Sequence, residues 1–324
     1  MTLEAVSIWK IADSMRGRGE HLDVANLIRQ CKEAGIMVGV QEVVSIMQRL
    51  GPIESDYFVP TDVAEFVAKF LEVVSPKKIL DPWAGVGLLT IPLNQHLRPG
   101  IFEAFSPNAI ACEVFKMLEG STGIKIQCGD SLRALAESSD RYDAVVGNTP
   151  FGMRCREPLA VRVEGEDRKV NDDYGNLLIL QSCLHLTENG LGVFIVPTKF
   201  FLASGGKRNA RRTLEELGFR VTAAIELPTG TFHPLTSLTT HIVVLQKSSD
   251  GKLFTAKYIP DSKHQRELLR NLAARSAAKS ASLGRLVPAD SFRGFSAIEF
   301  AERVQEQSRR MRLLPYLFGE VVLE

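Results

Sequence analysis

Apolar residues over the first fifty positions recur at helical spacing: Leu22, Ala25, Leu27 and Ile28, then, beyond Gly35, Val43, Val44, Ile46, Met47 and Leu50. Gly51-Pro52 stops the run. Two short helices about a glycine turn can read DNA, but such a pair more often covers a neighbouring domain. After position 57 the pattern becomes an alternation. An amphipathic stretch at 62–74 precedes the short apolar strand 78–80. Strand 101–105, helix 107–118 and strand 124–127 follow. The apolar strand 144–146 comes next, then helix 174–186 and strands 192–196, 219–227 and 239–246. Strands alternating with helices predict an α/β protein with a doubly wound, Rossmann-like sheet. Between Phe151 and Asp172 lies a polar stretch of about twenty residues, long enough to be read as a functional loop. Past Ser249 a further strand is expected at 253–259, and positions 262–312 carry helical periodicity. The division that follows is a helical region at 1–51, an α/β domain at 52–250 and a mostly helical extension at 251–324.

Composition narrows the setting. With 45% hydrophobic and 24% charged residues the chain belongs with soluble globular proteins. A net charge of +1 supplies no global field for nucleic acid, so any basic surface is local. Candidates are Arg154, Arg156, Arg162, Arg168 and Lys169 in the polar stretch, and Lys207, Arg208, Arg211 and Arg212 on one side of a later helix. The five cysteines form no C-x-x-C pair and are expected to be reduced, as in a cytoplasmic protein. The first residues lack the apolar core of a signal peptide, and no run approaches the roughly 18 apolar residues of a membrane span. No metal site is expected.

Candidate chemistry gathers at the ends of the expected strands, where open α/β sheets bind ligands. Strand 144–146 runs into Asn148-Thr149-Pro150-Phe151, which puts an amide, a stiffened turn and a ring at one edge. Strand 78–80 runs into Asp81-Pro82-Trp83-Ala84-Gly85-Val86-Gly87, a tight glycine loop through which backbone N–H groups approach a ligand. Thr90 stands where a dinucleotide fingerprint has its third glycine, which argues against a nicotinamide. Asp81 can accept from a cationic amino group. Glu103 lies about 20 residues on, where an acid grips ribose hydroxyls. Asp130, after the third strand, can accept an exocyclic amine. Each acid alone is more often a cap or a solvated carboxylate; three in one βαβαβ order carry the case.

These motifs resemble the N6-adenine DNA methyltransferases, in particular the modification subunits of type I restriction-modification systems. The resemblance covers 57–247. It includes Tyr57-Phe58-Val59-Pro60, the Asp81–Gly87 loop, Glu103, Gly129-Asp130-Ser131-Leu132 and Asn148–Gly152. A block from Leu227 to Lys247 completes it, with Leu-Pro-x-Gly-x-Phe ahead of a Thr-rich turn and an apolar strand. Thr149 stands where the family usually has proline. The resemblance implies a mostly parallel S-adenosylmethionine-dependent methyltransferase sheet whose last strand is antiparallel. S-adenosyl-L-methionine would be held by Tyr57, Pro60, Thr61, Asp81, Ala84, Gly85, Gly87, Glu103, Asp130, Ser131 and Asn148. Asn148, Thr149, Pro150 and Phe151 would act on an adenine turned out of DNA. RNA guanine-N2 or protein-glutamine methylation on the same fold, or a catalytically silent cofactor-binding subunit, remain alternatives. No segment outside 57–247 is as large as a target-recognition domain, so a separate specificity subunit is expected. The apolar stretch at 313–318 is its candidate docking point.

Overall fold

The computed structural model describes residues 3–53, 59–118, 120–163, 165–202, 209–233, 236–290 and 292–318. Tyr57, Lys207 and Arg208 lie outside the described residues, as do the side chains at 313–318. Three helices open the chain: α1 (Leu3–Gly17), α2 (Val24–Glu33) and α3 (Val40–Leu50). Then come α4 (Thr61–Val74), β1 (Lys78–Asp81), α5 (Thr90–Leu97), β2 (Ile101–Ser106), α6 (Ala109–Met117), β3 (Ile124–Cys128), α7 (Ser131–Glu137) and β4 (Tyr142–Asn148). The second half holds β5 (Leu159–Val163), β6 (Glu166–Val170), α8 (Tyr174–Leu184), β7 (Leu186–Pro197), α9 (Ala210–Glu216), β8 (Phe219–Glu226) and β9 (Thr240–Lys247). It closes with β10 (Lys252–Lys257), α10 (Ser262–Ala274), β11 (Arg285–Pro288) and α11 (Phe295–Phe318).

One sheet orders the strands β3-β2-β1-β4-β7-β9-β8-β10-β11. β9 runs antiparallel to both neighbours and β11 antiparallel to β10; the other pairs are parallel. The order reverses beside β1 and β4, which places the crevice for a ligand at their C-terminal ends. Both strands are buried on both faces, which is why they read as short unbroken apolar runs. On one face Val63, Phe66 and Leu71 of α4, with Leu268 and Leu272 of α10, cover Ile79, Phe102, Ala144 and Val146. On the other, Leu177, Leu178 and Leu180 of α8 cover Leu80, Val145 and Phe194. The opening helices pack against α6 through Leu27, Ile28 and Phe115, and Arg29 pairs with Glu113 at 2.8 Å.

Several expectations need correction. The polar stretch after Phe151 is not all loop: 159–170 forms the antiparallel hairpin β5–β6. Val161, Val163 and Val170 turn inward while charged residues alternate outward, and the outward set masked the strand pattern. The helical periodicity assigned to 262–312 is interrupted by β11, and 251–324 contributes two strands to the main sheet. The helical region at 1–51 holds three helices rather than the two expected, α1 preceding the run that began at Leu22. Not all cysteines are reduced: Cys112 on α6 is disulfide-bonded to Cys128 at the end of β3. Packing α6 against the β2–β3 edge brings together two residues that no short spacing links.

Candidate active site

β4 delivers Asn148 to the crevice because its register with β7 sets Asn148 beside Ile195. Asn148 is 8% exposed and Thr149 2%. The Thr149 hydroxyl donates to the Ile195 carbonyl at 3.5 Å, so a side-chain contact restrains the position where proline would fix φ by its ring. Phe151 is half-buried and meets Phe232 edge-on, with centroids 5.8 Å apart. Phe232 is the aromatic of the Leu-Pro-x-Gly-x-Phe block, so that block closes over the Asn148 loop.

The glycine loop faces this tetrapeptide. Gly85 and Gly87 take φ of 54° and 89°, a region costly for side-chain-bearing residues. A Cβ on Gly87 would stand 2.4 Å from the Phe115 ring of α6, so the loop is seated directly on that helix. The Ala84 amide donates to the Phe105 carbonyl at 2.8 Å, which pins the loop to the end of β2. One narrow cleft, of about 10 Å³, is lined by Ala84, Val86, Leu88 and Leu89 of this loop and helix start, by Val59 and Trp83, and by Asn148.

The four acid and amide positions separate here. Asp81 is fully buried; its Oδ2 accepts from the Thr90 hydroxyl at 2.6 Å and its Oδ1 from the Trp83 amide at 3.0 Å. Burial pushes its carboxyl up to about 7, against the lowering effect of those two donors. Asp81 therefore holds the loop in shape as well as standing at its start. Asp130 caps α7 through the Leu132 amide at 3.0 Å, and its Oδ1 also accepts from the Tyr174 hydroxyl at 2.6 Å. Ser131 is buried in the first turn of α7.

Glu103 is not at a strand end. It lies level with Leu80, with Ala104, Phe105 and Ser106 still to come in β2. Its side chain is 13% exposed and accepts from the Tyr142 hydroxyl at 2.6 Å, with Lys125 at 3.6 Å and Lys78 at 4.0 Å. Twenty residues of sequence measured the right distance to the second strand, but the pairing register placed Glu103 too early in it. Pro60 precedes α4, and Thr61 lines a different groove, between α3 and α5, with Gln41, Glu65 and His96. Arg211 and Arg212 are engaged by Glu215 and Glu216 at 3.3 Å each, and Arg168 by Glu216 at 2.6 Å. Arg154, Arg156 and Lys169 are exposed beside the tetrapeptide or on its hairpin. Among the described residues no three metal-ligating side chains cluster, and no helix is long and apolar enough to cross a membrane. Sequence reasoning gave Trp83, inside the glycine loop, no role, and passed over Tyr174 and Gly175, which reach the site through tertiary contact.

A glycine loop after β1, an acid after β3 and an Asn-x-Pro-Phe turn after β4, on a sheet of this order, define the class of S-adenosylmethionine-dependent methyltransferases. The N-6 DNA Methylase family model matches residues 48–281, and the chain belongs to that family. It is 26% identical over 214 residues to the Defense against restriction protein B of Escherichia phage P1, covering 65% of this chain and 9% of that protein. It is 27% identical over 135 residues to the tRNA1(Val) (adenine(37)-N6)-methyltransferase of Enterobacter sp. (strain 638), covering 39% of this chain and 53% of the relative. The type I restriction-modification system methyltransferase subunit from Streptococcus thermophilus shares the fold, with a TM-score of 0.60 at 15% identity, over 78% of this chain and 60% of that one. The chain thus spans less than two thirds of the length of these three proteins.

The family's cofactor is S-adenosylmethionine, and the residues present fit it in most respects. The positive-φ glycines admit backbone approach, Asp130 offers a carboxylate to an exocyclic amine, and Ala84 and Asn148 share one cleft. A ribose acid at the end of β2 is missing, since Phe105 occupies the level beyond Asp81.

Proposed function

We propose that the chain transfers a methyl group from S-adenosylmethionine to N6 of adenine in DNA, as the modification subunit of a restriction-modification system. The observation that carries this reading is the buried Asn148, held at the sheet edge in the same cleft as the glycine loop and followed by a restrained Thr149-Pro150-Phe151 turn. Adenine N6 is a weak nucleophile because its lone pair is delocalised into the ring. The cofactor supplies an electrophilic methyl group. The Asn148 side-chain oxygen and the Thr149 backbone carbonyl accept hydrogen bonds from the two N6–H groups, which favours a pyramidal nitrogen with an available lone pair. Thr149 has the same backbone carbonyl as proline, and its hydroxyl contact with Ile195 supplies the restraint. Pro150 stiffens the turn, and the half-buried Phe151 ring offers a face to a base rotated out of the duplex.

Target selection belongs to a separate specificity subunit, working with this chain in the cytoplasm. Positions 301–309 of α11 are exposed without interruption, with Phe300 64% and Val304 43% exposed on the same helix. Arg154, Arg156 and Lys169 would meet the phosphate backbone, which positions the duplex without reading sequence. The test is transfer of labelled methyl from S-adenosylmethionine into unmethylated duplex DNA, tRNA and protein, with and without a co-expressed partner. N6-methyladenine in DNA is expected, with sequence selectivity only when the partner is present. Label in RNA alone, the substrate class named for the Enterobacter relative, would overturn the DNA assignment. Tight, sequence-selective DNA binding by the isolated chain would overturn the partner assignment.

A further inference from the structure

The first turn of α8 touches both halves of the site. The Tyr174 amide donates to the Met153 carbonyl at 2.7 Å, two residues beyond Phe151. Its hydroxyl donates to Asp130 Oδ1 at 2.6 Å, and its ring meets Trp83 edge-on with centroids 5.3 Å apart. Burial pushes the Tyr174 hydroxyl well above its ordinary value, so it stays a donor across the working pH range. The next residue, Gly175, faces the tetrapeptide. A Cβ there would stand 2.5 Å from the Pro150 carbonyl oxygen and 3.4 Å from the Thr149 Cβ. The obstacle is backbone, which cannot swing aside as a side chain can. The preceding residues fasten this turn from outside: Asp173 accepts from Lys199 at 2.9 Å, and Asp172 accepts from the Ala210 amide at 2.9 Å and from Asn176 at 2.8 Å.

Among the described residues the bonds to Asp130 fall on Oδ1, from the Leu132 amide and Tyr174. Two donors on one oxygen fix the carboxylate plane and leave Oδ2 for an amine. From these contacts we infer that Tyr174 and Gly175 form a positioning element that sets the cofactor's adenine acceptor and the methyl-accepting loop in register. Tyr174 orients Asp130 toward the exocyclic amine of the cofactor's adenine. Gly175 lets the Thr149-Pro150 backbone lie against α8, which fixes where the Thr149 carbonyl points. Both residues act through others and need not touch the reacting atoms. The inference rests on the cofactor reading above, and its test separates the two.

Calorimetric titration of the full chain with S-adenosylhomocysteine and with S-inosylhomocysteine, which carries a carbonyl in place of the amine, gives wild type a preference for the adenosyl ligand. Tyr174→Phe keeps the ring against Trp83 and removes only the hydroxyl. It is expected to reduce that preference by about 3- to 10-fold, the worth of one hydrogen bond, with inosyl affinity within about twofold of wild type. Asp130→Asn keeps the cap and places an amide donor at the free position, so it should reverse the preference; this variant carries the comparison if Tyr174→Phe melts early. Gly175→Ala should leave both affinities within about twofold and lower kcat for methyl transfer by at least about 10-fold at saturating cofactor, because the shifted carbonyl is a positioned acceptor. Equal weakening of both ligands by Tyr174→Phe, or an unchanged preference in Asp130→Asn, would overturn the Tyr174 role. Wild-type kcat in Gly175→Ala would overturn the Gly175 role. If wild type binds neither ligand, the cofactor reading itself fails, and this inference with it.

Discussion

Replacing Asp81 by asparagine tests the electrostatics of the loop directly. The carboxylate is fully buried among two donors, and burial raises it from 3.8 to about 7. That gap corresponds to about 4 kcal/mol between its protonation states. Its sign follows from linkage. A carboxyl whose folded value lies above its unfolded value favours folding most at and below 3.8. That contribution declines as pH rises and is gone once pH passes about 7. At pH 8 the native protein therefore holds an unfavourable buried charge that asparagine does not have. Asparagine keeps both partners: its oxygen accepts from the Trp83 amide and its nitrogen donates to the Thr90 hydroxyl. Allowing for relaxation around the charge, Asp81→Asn should stabilise the chain at pH 8 by about 2–4 kcal/mol and by less than half as much at pH 5. Melting followed by circular dichroism at both pH values should show a rise of about 4–8 °C at pH 8 and less than half that rise at pH 5. A rise of equal size at both values, or a loss at pH 8, would refute the burial argument. The same variant should bind S-adenosylhomocysteine more weakly if Asp81 also meets the cofactor's amino group. In wild type, that contact should release a proton near pH 7, visible as heats that change with the buffer.

Asn148→Ala should keep S-adenosylhomocysteine affinity and lower methyl transfer by about 100- to 1,000-fold, whereas Thr149→Pro should retain or raise turnover; wild-type turnover in the alanine variant would remove Asn148 from the chemistry. Gly87→Ala meets the Phe115 ring at 2.4 Å and a φ of 89°, and should cost about 2–4 kcal/mol in denaturant unfolding; a loss under about 1 kcal/mol would mean the loop yields freely. Burial alone would raise the Glu226 carboxyl, but contacts from His241 and from the Ser296 amide and hydroxyl more than offset it and hold it at about 2. Its stabilising contribution is present above 4.5 and lost as pH falls through about 2, so Glu226→Gln should cost about 2 kcal/mol at pH 7 and progressively less in acid. A pH-independent cost would show that the loss is one of packing.

How much of the molecule was legible in the sequence depended on the range of the contacts involved. β1 and β4 were visible because each is a short apolar run between turn residues, and buried parallel strands need that composition wherever they pair, whereas the edge strand β3 showed itself by alternating isoleucines. The chemistry of the glycine loop and of Asn148-Thr149-Pro150-Phe151 was visible for a related reason. Both sit at junctions where a strand turns, and turn geometry restricts which residues fit. The hairpin β5–β6 was hidden because its outward charges resemble a loop. α1 fell within the helical region read at 1–51, although the spaced apolar residues used to place individual helices began only at Leu22.

What the chain's order determined by itself was therefore the α/β class, the crevice at the strand ends and the tetrapeptide that faces it. Only the tertiary structure decided which acids reach that crevice. Glu103 has the expected spacing and lies in the expected strand, yet pairing Leu80 with Glu103 leaves three residues beyond it and turns it to Tyr142. Tyr174 carries no motif, yet packing α8 beneath the edge sets its hydroxyl on Asp130 and its neighbour Gly175 under Pro150. The cause is the same in each case. Local sequence sets dihedral angles and periodicity, whereas strand register and helix seating are fixed by side chains far apart in the chain.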